Sequence, residues 1–174
     1  LIVENKDDIS LNVIFGNNEE PFIPYHCVTI QDKIGLAIEV IEIEKLFNIR
    51  NQPESVVFAY NESIIIDDKE EILKKWKDKY FKITDEQIKN RSTQNYFKFS
   101  YLTDHYHFEK WTYREAYIQV AQNFREAGEC YCAFLYCING SFIPRKDWLA
   151  YLTFELNFLP EKHELFMREL YDIK

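Results

Sequence analysis

Three groups of residues in this chain have types and spacings that could do chemistry. The sharpest is His105-x-His107-x-Glu109. On a strand, residues two apart share a face, so two imidazoles and a carboxylate would converge and could hold a divalent metal. The competing reading is a pair of partly exposed histidines in a connection or helix entrance. Asp104, Tyr106 and Phe108 surround and interleave them, and the plain reading is the expectation. The second group is Glu39, Glu42 and Glu44, in an Ile- and Val-rich stretch. A glutamate projecting from a strand into an acidic cluster can hold Mg²⁺, which then neutralises a nucleoside triphosphate. Solvated glutamates on an edge strand are the alternative. The third group is the cysteines. Cys27 follows His26, but neighbours on a strand face apart. Cys130, Cys132 and Cys137 lie in one apolar run, without the C-x2-C spacing of a zinc site. They read as inert, reduced core thiols of a cytoplasmic protein.

Composition narrows the field further. With 174 residues and 47% hydrophobic content, the chain is long enough for one domain or two small ones sharing a core. Its four glycines are too few and too scattered to build a glycine-rich phosphate loop. No secretory leader is visible and no segment is long enough to span a bilayer, so no membrane partner is expected. The first residue is Leu rather than Met, which suggests a processed or truncated piece of something longer. Charge is uneven: residues 1–72 hold 15 Asp and Glu against 5 Lys and Arg, a balance of −10, and residues 73–174 hold 14 against 16, a balance of +2. An acidic half disfavours duplex nucleic acid and suits a metal site, a basic protein partner or simply a solvated surface.

The elements that must position these residues begin with strands. Leu1-Val3 resembles a strand tail, Ile9-Phe15 alternates, and His26-Ile30 is a short strand with Gln31-Asp32-Lys33 as its turn. Ile34-Ile43 follows, with a change of phase near Val40, and Glu44-Ile49 reads as a short helix. Val56-Tyr60 and Ile64-Ile66 are strand-like or buried helix. Asp68-x-x-Glu71 resembles a capping box opening a helix with Ile72, Leu73, Trp76 and Tyr80 inward and a solvated face of Lys74, Lys75, Lys77 and Lys79. Thr84 can cap a further short helix, and the alternation of Phe97, Phe99 and Tyr101 allows an extended segment.

From Thr112 the signals are helical. Thr112-x-x-Glu115 is a capping box, and Tyr113, Ala116, Tyr117, Val120, Ala121 and Phe124 form a stripe that Gly128 ends. The nine apolar residues Cys130-Ile138 must be surrounded by protein. A helix closed by Asn139-Gly140 is preferred to a strand entering a hairpin. Leu149, Leu152, Leu156 and Leu159 form a third stripe, and Pro160 with Glu161 and Glu164 opens the last helix. The expected fold class is α+β: a mixed β-sheet region over residues 1–66, then an antiparallel helical bundle over residues 67–174.

The stretch Leu135-Tyr136-Cys137-Ile138-Asn139-Gly140-Ser141-Phe142-Ile143-Pro144-Arg145-Lys146-Asp147-Trp148-Leu149 resembles the helix, turn and helix of nucleotidyltransferases of the DNA-polymerase-beta superfamily. The small bacterial, antibiotic-modifying type is the nearest in appearance. Ile34-Gly35-Leu36-Ala37-Ile38-Glu39-Val40 resembles that family's strand bearing a third carboxylate. The resemblance implies Mg²⁺-dependent transfer of a nucleoside monophosphate from an NTP to a hydroxyl on a small or macromolecular acceptor. It would make Glu39 a metal ligand and would set Arg145 or Lys146 on phosphate or substrate. The family's Gly-Ser turn followed by Asp-x-Asp does not occur here. The expectation is therefore that the catalytic strand lies upstream of Leu1 or that catalysis is lost, and that the chain is inactive alone. From a different class comes an acidic inhibitor or immunity-type protein that binds a basic partner through its many Tyr and Phe.

Overall fold

The computed structural model describes residues 48–66, 68 and 70–171, together with the backbone of residues 2–3, 26–30, 34–38 and 41–42; Tyr171 is described by its backbone alone. Glu39, Glu44, the Ile9-Phe15 segment and most of Glu44-Ile49 lie outside the described residues. The chain divides into two compact units, Leu1–Gln52 and Pro53–Lys174.

In the first unit, β1 (Ile2–Val3) pairs in parallel with β4 (Ile41–Glu42). Strand β2 (His26–Ile30) pairs antiparallel with β3 (Ile34–Ile38), His26 opposite Ile38 and Ile30 opposite Ile34. The ladder thus stops on either side of Gln31-Asp32-Lys33. A 3₁₀ turn at Ile49–Asn51 follows.

The described elements of the second unit are all helical: α1 (Glu54–Glu62), α2 (Ile72–Tyr80), α3 (Asp85–Thr103), α4 (His105–Tyr113), α5 (Tyr117–Ile138), α6 (Lys146–Leu149), a 3₁₀ turn (Tyr151–Glu155) and α7 (His163–Tyr171). This corrects the α+β expectation. No mixed sheet is formed among the described residues, whose strands make two separate two-stranded pairs, and the part of the chain with placed side chains is all-helical. Of two apolar runs, one takes its helical alternative and the other departs from the extended segment expected. Val56-Tyr60 follows Pro53, whose carbonyl accepts from the Val56 and Val57 amides and starts α1. Phe97, Phe99 and Tyr101 lie inside α3, where their alternation is incidental: Phe97 and Tyr101 are one turn apart on an exposed face, and Phe99 packs inward.

Helix α3 is capped as its sequence demands. Thr84 Oγ1 accepts from the Gln87 amide at 3.2 Å, and Gln87 Oε1 accepts from the Thr84 amide at 2.9 Å. The Thr112 capping box does not form. Thr112 closes α4 and donates its hydroxyl back to the Phe108 carbonyl, and Glu115 takes a left-handed φ of 56° that separates α4 from α5. Gly128 does not end a helix either. It is buried inside α5, so the stripe from Tyr117 onward and the apolar run form one 22-residue helix, with Tyr113 left in α4.

The C-terminal half of α5 is the axis of the core. Cys132, Leu135 and Cys137 are fully buried and Tyr136 nearly so. Cys132 and Tyr136 meet Leu149 and Met167, with Phe58, Ile143, Leu152 and Phe166 packed around them. Each such side chain contributes about 1.5–3 kcal/mol by leaving water. A second cluster, Leu102, Ala127 and Cys130 with Phe99, joins α3 to α5.

Candidate functional site

Two places in the helical unit gather cationic side chains: the restart between α5 and α6, and the groove between α1 and α2. The restart is built first by its backbone. The Asn139 side-chain amide donates to the Leu135 carbonyl at 2.8 Å and the Phe158 carbonyl at 2.9 Å, and its oxygen accepts from the Phe158 amide at 2.8 Å. Gly140 follows at φ +66°, a conformation open to glycine at little cost. Arg91 on α3 donates to the Ser141 carbonyl at 3.2 Å and pairs with Glu54 on α1. Glu54 also accepts from the Ile143 amide at 2.9 Å. Pro144 is buried, and α6 then begins.

The two residues expected to meet phosphate stand at this point, and both are engaged by carboxylates. Arg145 makes a two-pronged pair with Asp147, Nε to Oδ1 at 2.7 Å and Nη2 to Oδ2 at 2.5 Å. The pair raises the Arg145 pKa, and the Arg145 guanidinium holds the Asp147 carboxyl below its ordinary value. Lys146 Nζ reaches Glu129 Oε2 on α5 at 2.6 Å, and Glu129 Oε1 also lies 3.8 Å from Arg125. Arg145 and Lys146 are thus adjacent and exposed, each with its own counter-charge.

No described carboxylate set fits Mg²⁺. Among the described residues no three His, Cys, Asp or Glu side chains come together as metal ligands. Asp147 and Glu129, the acidic groups nearest the restart cations, already serve Arg145 and Lys146. Glu39, the expected ligand, lies outside the described residues. His105, His107 and Glu109 do not converge. They lie on α4, where residues two apart point to opposite sides. His105 Nε2 instead meets Glu109 Oε1 at 3.0 Å on the exposed face, while His107 packs against Tyr101 with ring centroids 4.0 Å apart.

Helix α2 carries the second cationic place. Its N-terminus is held by Asp68, whose Oδ2 accepts from the Lys74 amide at 2.9 Å. Burial pushes the Asp68 carboxyl up, but the amides of Lys74, Leu73 and Ile72 together outweigh it and hold it below its ordinary value. Glu71 is not the reciprocal partner of a capping box; it sits in a left-handed conformation at φ 55°. Trp76 is buried against Tyr60 and Phe81. That orientation turns Lys74, Lys77 and Asp78 toward α1 and the segment after it. With Asn61, Ile65, Phe81 and Lys82 they line a cleft of about 370 Å³. Lys77 Nζ is steadied there by the Ser63 carbonyl at 2.6 Å. A solvated lysine face was the expectation from sequence. Lys74, Lys77 and Asp78 share one helical face, Phe81 and Lys82 follow the end of α2, and Lys74, Lys75 and Lys79 are exposed as that expectation requires.

The thiols of Cys130 and Cys137 are buried and free, and burial pushes both pKa values up, so neither is an activated nucleophile. Sequence reading also missed His163. It is buried on α7, with Nδ1 3.0 Å from the Tyr131 hydroxyl and Nε2 3.0 Å from Thr153 Oγ1. Thr153 donates its own proton to the Ala150 carbonyl at 2.6 Å. It must therefore accept from Nε2–H, which leaves Nδ1 to accept from Tyr131. Every donor in this array has an acceptor while His163 is neutral, and burial lowers its pKa.

No protein-family profile matches the sequence, and no curated protein or solved structure is significantly similar to it. No helix among the described residues is long and apolar enough to cross a membrane.

Proposed function

We propose that this chain is a nucleotidyltransferase-like protein whose helical unit positions an NTP, with the restart at Asn139–Leu149 as the phosphate-facing segment. The single observation behind this reading is the construction of that restart. A buried helix ends in a pinned Asn-Gly turn, and a buried proline then sets Arg145 and Lys146 side by side at the surface. A site that grips a polyanion needs cations on a backbone that does not yield, and three clamps from α1, α3 and the Phe158 segment supply that stiffness. Asp147 and Glu129 orient the two cations and also compete with phosphate for them. The acceptor would carry a hydroxyl, and any metal would depend on Glu39 and further ligands beyond the described residues. No chemical step is assigned to the chain alone.

Equilibrium binding of ATP, with and without Mg²⁺, tests this reading. Lys146→Ala should weaken binding several-fold in either condition, as loss of one exposed charge contact predicts. Glu39→Ala should remove only the Mg²⁺-dependent part. Absence of any Mg²⁺-dependent ATP binding would sink the reading.

A second reading has its own support. Tyr96, Phe97, Tyr101, Tyr106, Tyr113 and Tyr117 are all more than half exposed, and aromatic side chains are the usual anchors of protein interfaces. With −8 net charge, an acidic binder of a basic partner accounts for them. Saturable retention on a basic protein in moderate salt, lost on Phe97→Ala with Tyr101→Ala, would favour this reading over nucleotide binding.

A further inference from the structure

We infer that α7 is an acid-released latch, closed over the core by the neutral ring of His163 and opened locally when that ring takes up a proton. The helix has 9 residues, fewer than the roughly 12–15 an isolated helix needs in water, so packing must keep it formed. His163 and Met167 lie one turn apart on its inner face, and Met167 packs with Cys132, Tyr136 and Leu149. Both nitrogens of His163 are bound to other elements. Nδ1 lies 3.0 Å from the Tyr131 hydroxyl on α5, and Nε2 lies 3.0 Å from Thr153 Oγ1 on the 3₁₀ turn. Its ring also lies against those of Tyr131 and Phe154, with centroids 5.8 Å and 5.0 Å away. One side chain thus ties α7 to two other parts of the fold.

The tie suits one charge state. Thr153 donates its proton to the Ala150 carbonyl, so Nε2 carries the ring hydrogen and a second proton must enter at Nδ1. The Tyr131 hydroxyl must then turn to accept it and loses the acceptor for its own proton. An imidazolium only 2% exposed is left with no anion beside it among the described residues. Tyr131 on α5 faces the ring, with Phe99 on α3 packed behind that tyrosine, and Thr153 and Phe154 face it from the 3₁₀ turn. Beyond Met167 lie the Cys132 thiol and Tyr136. The charged residues nearest in sequence, Glu155, Glu161, Lys162 and Glu164, are all exposed. Burial is accordingly what holds the His163 pKa below 6.5. Once α7 lifts away the ring meets water and titrates at its ordinary value, so the released form holds the proton more tightly than the closed one. The latch is therefore closed above pH 6.5 and weakens as pH falls toward the folded pKa. One proton taken up on release makes the opening constant rise about tenfold per pH unit in that window. Release bares the face of α5 that carries Cys132 and Tyr136.

The test is hydrogen–deuterium exchange of the full chain between about pH 7.5 and about pH 5, read by mass spectrometry as protection factors corrected for the intrinsic rate at each pH. Protection over residues 163–171 should fall about tenfold per pH unit below pH 6.5 and level off at the folded pKa. It should also lie below that of residues 130–138 at every pH, because those amides are freed only when the whole unit opens. His163→Gln keeps an amide donor toward Thr153 and cannot titrate, so it should flatten the profile. Thr153→Val removes the acceptor for Nε2–H and should lower protection of α7 already at neutral pH. Equal protection of the two segments at every pH would mean that α7 leaves only with the whole unit. A flat profile in the parent would mean that no proton is taken up on release. Either result overturns the latch, as does a fall in His163→Gln that matches the parent. If His163→Gln does not fold, the parent profile and Thr153→Val decide, and unchanged neutral-pH protection in Thr153→Val overturns it too. ATP binding at the restart has no part in this readout.

Discussion

The restart at Asn139–Leu149 and the cleft between α1 and α2 both present lysine or arginine, yet they are held in opposite ways. At the restart the backbone is over-determined. Asn139, Arg91 and Glu54 each bind it from a different part of the fold, and the two cations stand outside on different carboxylates, Asp147 and Glu129. At the cleft the backbone is held chiefly by burial of Trp76 and by Asp68, while Lys74 lies 3.7 Å from Glu71 and Lys77 rests on the Ser63 carbonyl. Stiff backbone with neutralised charge suits selection among ligands. Exposed lysines on a lightly anchored backbone suit capture. The difference shows that the number of cations in a place says little until their counter-charges and backbone anchors are known.

The largest effect that would break this contrast comes from Glu54. Its carboxylate joins α1, α3 and the Ile143 amide, so Glu54→Ala removes a charged partner from half-buried Arg91 and orphans an amide. Loss of hydrogen bonds to a charged group in that setting costs about 1–3 kcal/mol. A urea midpoint that falls accordingly, with the m-value unchanged, checks it; an unchanged midpoint would mean the restart needs no such clamp.

Next in size is the response to acid. His163 is fully satisfied only when neutral, and its folded pKa is depressed by burial below 6.5. Its contribution to stability is therefore present above pH 6.5 and is lost as pH falls through the folded pKa. Protonation puts a proton on Nδ1, so the Tyr131 hydroxyl must turn to accept it and loses Nδ1 as the acceptor for its own proton. Thermal unfolding between neutral pH and pH 5 should show a loss that Tyr131→Phe moves toward higher pH, since that change removes the donor favouring neutral His163. A variant with His163→Gln and the same acid profile as the parent would sink the assignment.

How far the sequence foretold these places can be judged residue by residue. Cys130–Ile138 was legible as buried because nine apolar residues leave no wet face, and as a helix because helical patterns flank it. Thr84 was legible as a cap because a cap is a local bond, although the helix it opens runs to 19 residues where a short one was expected. Pro160 with Glu161 and Glu164 likewise marked α7. The misses were non-local. Gly128 reads as a stop until tertiary packing carries α5 through it, and the stripe from Tyr113 to Phe124 was misplaced by a residue or so, since Tyr113, Tyr117 and Phe124 are exposed while Asn123 and Ala127 are buried. The lysines of α2 read as solvated, and Lys74, Lys75 and Lys79 are exposed; what periodicity does not record is that Asn61 and Ile65 come to lie opposite Lys74 and Lys77. His163 was invisible for the same reason: its partners come from Tyr131 and Thr153.

A smaller effect sharpens the restart further. Gly140 sits at φ +66°, and a Cβ there would meet Ile88 Cδ1 at 3.6 Å, an ordinary contact. Gly140→Ala is thus penalised by conformation and not by space, at about 1–2 kcal/mol. Gly140→Asn should recover part of that loss, because Asn tolerates left-handed backbone better than Ala does. Equal losses in the two variants, read by thermal melting, would point to crowding instead.

The smallest effect on stability belongs to Arg145 and Asp147, and it separates anchoring from function most cleanly. Both side chains are exposed, and the pair bridges residues only two apart, so it ties no element to another. Exposed pairs of this kind contribute little to folding. Arg145→Ala and Asp147→Asn should leave the urea midpoint within error of the parent. Their effects on ligand should nevertheless differ in sign. Asp147→Asn frees the Arg145 guanidinium from a competing carboxylate and should tighten ATP binding, whereas Arg145→Ala should weaken it. If both variants weaken binding alike, Asp147 acts by orienting Arg145 and its competition with phosphate is negligible. If neither alters binding while Lys74→Gln does, the nucleotide is held at the cleft, and the rigid restart is a structural joint.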